Sequence, residues 1–159
     1  MLAVKFICVG RMREKFYIDA FSEYTKRLQS LCKFEIIEPA EQRLSENPSD
    51  KEVKAALDKE AQDIMKAIPN DAYVVAMCVE GKQLSSEEFA EKLDQISTMN
   101  GELSIIIGSS YGLSNEIKNA CDYRLSVSKM TLTHQMLRVW LVEIIYRCLS
   151  INHGGKYHK

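Results

Sequence analysis

Apolar residues in this chain fall into short unbroken runs. Longer segments between them repeat apolar positions every third or fourth residue. The run A-V-K-F-I-C-V, 3–9, is β-rich and stops at Gly10, which predicts a strand. Over 13–31, Tyr17, Phe21, Tyr24 and Leu28 recur at i, i+4, i+7 and i+11, one face of a helix whose aromatics belong in a core. Phe34 to Ile37 is a second short strand, closed by Pro39. Ser49 and Glu52 form an S-x-x-E capping box that opens a helix to Ala67, and Ser85 with Glu88 opens another that stops near Asn100 and Gly101. Between them A-Y-V-V-A-M-C-V, 72–79, is apolar throughout, as is L-S-I-I-I-G, 103–108. Strands of that kind are buried on both faces of a sheet. A short helix over 114–121, an extended segment over 123–128 and a helix from His134 to Leu149 complete the pattern, with Thr131 or Thr133 as the last helix's N-cap.

Strands alternating with helices predict an α/β domain with a largely parallel sheet flanked by helices, one domain over 1–159. Ligands of such sheets sit at the carboxyl ends of the strands, so 78–84, 108–113 and 126–133 are the loops that matter. The loop G-S-S-Y-G, 108–112, follows a strand and precedes a helix. It has neither the G-x-G-x-x-G spacing nor the lysine of a P-loop, and by itself it reads as a turn.

The last helix carries the other candidates. Arg138 lies four residues after His134 and shares its face. Arg147 is nine residues further, and at about 100° per residue it points to the opposite side. Glu143 stands four residues before it, in the favourable order for an ion pair. Apolar residues at 136, 137, 139–142, 144, 145, 148 and 149 surround the helix almost completely. In so small a domain that predicts a subunit interface and a homodimer.

Composition changes the picture mainly through its distribution. The net charge is −1, but residues 1–33 hold seven Lys/Arg against three Asp/Glu, and 125–159 hold five against one, so each end is +4. The middle therefore carries −9. If the ends meet, they form a positive face suited to nucleic acid. Five cysteines without a C-x-x-C give neither a disulfide framework nor a zinc site, and buried reduced thiols are expected. No apolar stretch approaches the roughly 20 residues that span a bilayer. The first ten residues are too short and too closely joined to charges for a signal peptide, which predicts a cytoplasmic protein. Of the three histidines, His153 and His158 lie in the final segment N-H-G-G-K-Y-H-K, beyond the last helix.

Five stretches occur in a telling order: E-G-K after a buried strand, I-I-G-S-S-Y-G-L, L-S-V-S-K-M-T-L-T-H-Q-M-L-R-V, I-I-Y-R and the terminal Y-H-K. In these the chain resembles, from end to end, the bacterial ribosomal large-subunit pseudouridine N3-methyltransferases of the trefoil-knot (SPOUT) superfamily. The resemblance implies a C-terminal trefoil knot that binds S-adenosylmethionine without metal. It places Met77, Gly108, Val127, Ser128, Lys129, Met130, Thr131 and Leu132 around that cofactor. His134, Arg138, Arg147, Tyr157 and His158 map to the target side. The implied substrate is N3 of a pseudouridine in 23S rRNA, on the assembled ribosome. The chain departs from the family pattern at Ser109, where a second glycine is common, and at Thr133, where proline is common.

The expected chemistry follows. The imide N–H must lose its proton to attack a sulfonium methyl, and the ring becomes anionic. A histidine can accept a proton near neutral pH, which makes His158 the expected base. Arg138 or Arg147 would stabilise the ring oxygens, and Tyr157 would stack on or hydrogen-bond to the base. Arg11, Arg13, Lys15, Lys156 and Lys159 would hold phosphates. Three other readings stand beside it: a knotted methyltransferase acting on tRNA, a ribosome-binding factor without catalysis, and a flavodoxin-like ligand-binding domain, which would need no ordered C-terminus.

Overall fold

The computed structural model describes all 159 residues. Five strands form one sheet in the order β2-β1-β4-β3-β5, with every pair parallel: β1 (Ala3–Cys8), β2 (Lys33–Ile37), β3 (Tyr73–Lys82), β4 (Glu102–Ile107) and β5 (Tyr123–Leu125). Alternation along β1 sends Val4, Phe6 and Cys8 into the larger core and Ile7 into the smaller one on the opposite face. The larger core lies under α1 (Lys15–Leu28), α3 (Ser86–Met99) and α5 (His134–Asn152); α2 (Asp50–Ala67) and α4 (Asn115–Ala120) cover the other face. Phe6 meets the edge of the Phe34 ring at a centroid distance of 5.0 Å, with Phe21 beside both.

Local chemistry sets the helix starts. Ser85 and Glu88 form the full reciprocal capping box. At Ser49 only half of it is made: the hydroxyl accepts from the Glu52 N–H, while the Glu52 carboxylate meets the same hydroxyl. Thr133, not Thr131, caps α5, its Oγ1 accepting from the Met136 N–H at 3.2 Å. The helix runs three residues beyond the expected Leu149, where Asn152 donates to the Ala90 carbonyl of α3 at 2.8 Å.

Two expectations change. E-G-K is not a loop: β3 continues through it to Lys82 after an irregularity beyond Met77, because β5 supplies a partner, Leu125 opposite Lys82. Gly81 is required there, since a Cβ would stand 2.8 Å from the backbone of Arg124 and Leu125. The near-complete apolar girdle of α5 is met largely inside the subunit. Leu141, Val142, Ile145, Cys148 and Leu149 are buried as the helix packs against α1 and α3. What stays open on the helix is Met136 and Trp140, with Met130 and Leu132 also exposed in the loop before it. No helix is long and apolar enough to cross a membrane.

Candidate functional site

The carboxyl ends of β3, β4 and β5 open into one region on the same edge of the sheet. A narrow, mostly apolar slot lies between Met77–Val79 and Leu125–Leu132. It continues into a broader cleft of about 810 Å³ lined by Gly108, Ser109, Ser110, Thr131, Leu132 and His134, with Phe16 and Tyr17 on the far rim. Along 127–132 the N–H groups of Val127, Ser128, Lys129, Thr131 and Leu132 donate to nothing in the protein; only Met130 does, to the Ser128 hydroxyl. The Ser126 hydroxyl pins this loop by donating to the Ser128 carbonyl at 3.0 Å. Apolar walls with free main-chain donors suit a flat heteroaromatic ligand with a polar edge.

The glycine loop is folded tightly on itself. The Gly112 N–H donates to the Ser109 carbonyl at 2.9 Å, and a Cβ on Gly108 would lie 2.3 Å from the Gly112 oxygen. Ser109 does not take up the left-handed conformation; no residue other than glycine has positive φ. Its hydroxyl instead donates to Glu60 Oε1 at 3.2 Å. Glu60 is only 3% exposed, and its other oxygen accepts the Gln42 N–H at 2.9 Å. Burial raises its pKa, and the two hydrogen bonds pull it part of the way back.

At the start of α5, His134 is half-buried on the cleft wall. Burial, with Arg138 and Arg13 nearby, lowers its pKa, so it is neutral at neutral pH. Arg138 points inward. Its side chain has no exposure; it donates to Glu38 at 2.9 Å and to the carbonyls of Val9 and Gly10, each at 2.8 Å.

Arg147, Tyr157 and His158 assemble elsewhere. Arg147 pairs with Glu143 as the spacing predicts, and its guanidinium lies 4.9 Å from the Tyr157 ring centroid. Tyr157 packs edge-on against Tyr146, donates to Glu143 at 2.9 Å and meets the Tyr24 hydroxyl at 3.4 Å. Burial, then the bonds to Tyr24 and Glu143, raise its phenol pKa. His158 bridges two groups. Arg147 lies 3.2 Å from Nδ1, and Glu87 lies 2.7 Å from Nε2, with its own pKa lowered by that bond. An arginine can only donate, so Nδ1 accepts and Nε2 carries the hydrogen. The tail is thus docked on α5, α1 and α3. Thirteen residues of α5 separate Arg147 from His134, about 20 Å at 1.5 Å per residue.

The chain matches the family described as "Predicted SPOUT methyltransferase" over residues 2–158. It belongs to the SPOUT methyltransferases. It is 43% identical over 157 residues to the ribosomal RNA large subunit methyltransferase H of Clostridioides difficile (strain 630), covering 98% of this chain and 99% of that one. It is 42% identical over 160 residues to the protein of that name from Streptococcus thermophilus (strain ATCC BAA-491 / LMD-9), covering 99% and 100%. A solved structure of a probable methylase family protein from Haemophilus influenzae Rd KW20 superposes with a TM-score of 0.56 at 17% identity, over 100% of this chain and 72% of that one, a likeness of fold.

For this SPOUT methyltransferase, the structure gathers Met77, Gly108, Val127, Ser128, Met130, Thr131, Leu132 and His134 around the clefts. Lys129 is exposed and lines neither. Arg138, one of the two arginines expected at the ring oxygens of a target, has no exposed side chain here and ties the end of β1 to the segment after β2. Periodicity gave its direction but not what awaited it. Glu60, Glu38 and Glu87 went unnoticed in the sequence. Only Glu60 left a signal there: it occupies the apolar stripe of α2 together with Ala56 and Ile64. A carboxylate in such a stripe needs a buried partner.

Proposed function

We propose that this protein transfers a methyl group from S-adenosylmethionine to N3 of a pseudouridine in large-subunit ribosomal RNA, acting on the assembled ribosome in the cytoplasm as a homodimer. The observation that carries the reading is the slot between β3 and the 126–132 loop, whose free N–H groups border apolar walls. Main-chain groups of 127–132 and the side chains of Met77 and Leu132 would hold the cofactor, with Gly108 keeping the neighbouring loop close. Bound there, the cofactor supplies an electrophilic methyl on a sulfonium, so no metal is needed. The segment from 126 to 159 would form the trefoil knot of the superfamily.

The names of the full-length relatives support a ribosomal RNA substrate. The separation of the two residue clusters supports the dimer: Arg147, with Tyr157 and His158 docked against it, lies too far from His134 to serve its own subunit's slot. In a dimer joined through Met130, Leu132, Met136 and Trp140, the tail of one subunit would complete the other's site. There Arg147 would stabilise the developing ring anion and Tyr157 would hold the base. His158 would accept the imide proton once it exchanges its Arg147 contact for the substrate. His134, held neutral, would keep the ring oriented beside the slot, and Arg138 would brace the wall from within.

The test combines two measurements. Ribosomal RNA from cells with and without the gene is mapped by mass for a methylated pseudouridine. Purified protein is titrated with S-adenosylmethionine in chelator. A missing mass difference removes the substrate assignment, and no binding at millimolar cofactor removes the reaction. Sedimentation at 18.2 kDa at micromolar concentration would remove the shared site.

A further inference from the structure

A second cleft, of about 790 Å³, lies between the segment after β1 and the one after β2. Arg11 and Arg13 stand on one wall, Arg43 on the other, and Tyr111 closes one end. The chain has seven arginines. Four are engaged: Arg27 with Glu23, Arg124 with Asn119 and the Lys118 carbonyl, Arg138 with Glu38, and Arg147 with Glu143. The guanidinium groups of the other three have no partner in the protein, and all three line this cleft. Of the two carboxylates in its wall, Glu38 is held by Arg138, which leaves Glu41 against three cations.

The cleft is preorganised. The Gly10 N–H donates to the Pro39 carbonyl at 2.8 Å, joining the two walls directly. Arg138 ties them again from below through Val9, Gly10 and Glu38. Glu60 fixes the Gln42 backbone. Tyr111 is 47% exposed, and its ring and hydroxyl contact no aromatic or hydrogen-bonding partner. It belongs to the 108–112 loop, whose other residues line the cleft that leads to the slot. The two clefts thus share one five-residue loop.

We propose that this arginine cleft binds the RNA strand next to the modified nucleotide, with the arginines on its phosphodiesters and Tyr111 stacked against a flanking base. This rests on the reading that RNA is the substrate. Arginine suits the task because its planar fork engages phosphate oxygens in pairs. A tyrosine with one open face offers stacking that any base can use. Arg43 and Tyr111 lie in the acidic middle of the chain, outside the basic ends, and only folding brings them to Arg11 and Arg13.

The test measures binding of a fluorescent pseudouridine-containing hairpin RNA across a potassium chloride series. Methyl transfer to ribosomes and cofactor titration accompany it for every variant. Arg13→Ala and Arg43→Ala should each weaken RNA binding about fivefold or more and make the salt slope shallower by about one. Tyr111→Ala should weaken binding about 5- to 100-fold with the slope unchanged, and Tyr111→Phe should recover it. Cofactor affinity should hold throughout, which separates these effects from misfolding; Arg43→Gln serves if Arg43→Ala loses cofactor binding. Wild-type affinity and salt slope in the arginine variants overturn the proposal, and if wild-type protein still methylates ribosomes the reading of function stands. RNA binding through the cleft without methylation of any ribosomal RNA gives the reverse result. A wild-type protein that does not bind the hairpin overturns the cleft proposal, and one that also fails to methylate ribosomes overturns both.

Discussion

Replacing Arg138 with methionine removes the charge while keeping most of the volume. Three acceptors then lose their donor. The Val9 carbonyl belongs to a fully buried residue, and leaving it unpaired costs about 1–3 kcal/mol. The Gly10 carbonyl is nearer solvent, and the Glu38 side chain is 32% exposed, so both rehydrate in part. Breaking a fully buried pair from one side costs about 3–5 kcal/mol, and this partial exposure argues for the lower end. Arg138 Nε is itself buried without a partner, a cost the substitution removes. About 3 kcal/mol of destabilisation is expected. At a urea slope of about 2 kcal/mol per M, the midpoint should fall by about 1.5 M. Urea unfolding of wild type, Arg138→Met, Glu38→Gln and the double variant makes the assay. The Glu38→Gln effect should shrink once Arg138 is gone, because the two act on one contact. A midpoint within about 0.2 M of wild type, together with a large loss of methyl transfer, would refute the reasoning. It would mean that Arg138 meets the target and that the brace is incidental.

Other expectations follow from the same geometry. Gly108→Ala should cost more than about 2 kcal/mol and abolish cofactor binding, because the new Cβ meets the Gly112 backbone, which cannot yield; calorimetry and urea melts check it. Glu60 has a pKa raised by burial, so its charge opposes folding once pH rises through the folded value. Glu60→Gln should therefore lose nothing or gain at pH 8 relative to pH 5, and a larger loss at pH 8 than at pH 5 would contradict this. His134 has a pKa lowered from the ordinary 6.5, so it contributes no penalty above that value and stability falls as pH drops below it. In His134→Gln that fall should flatten, and an NMR titration of the ring should give a midpoint below 6.5. Deleting Tyr157 to Lys159 should nearly abolish methyl transfer with cofactor affinity retained. It should also cost about 1–2 kcal/mol, since Tyr157 makes an aromatic pair and a buried-side hydrogen bond.

Sequence alone determined the succession of elements, because each is written in local terms. Unbroken apolar runs marked the strands, the 3.6-residue stripe marked the helices, and Ser49 and Ser85 marked two of their starts, while the structure chose Thr133 over Thr131 for the last. The parallel sheet implied by that succession also sets the segments after its strands on one edge, where the clefts lie. Tertiary structure decided what each functional side chain faces. The helical period set Arg138 and Arg147 on opposite faces, but only the fold shows that one is enclosed by Glu38 and the other laid against a tail that returns over its own helix. Gly81 looked like a loop residue until β5 arrived beside it. Arg43 sits in an acidic stretch and meets Arg11 and Arg13 only because β2 runs parallel to β1, so the segments that follow them leave the same end of the sheet. Such contacts join residues tens of positions apart. No local period encodes them, and their energies depend on burial that exists only once the chain has folded.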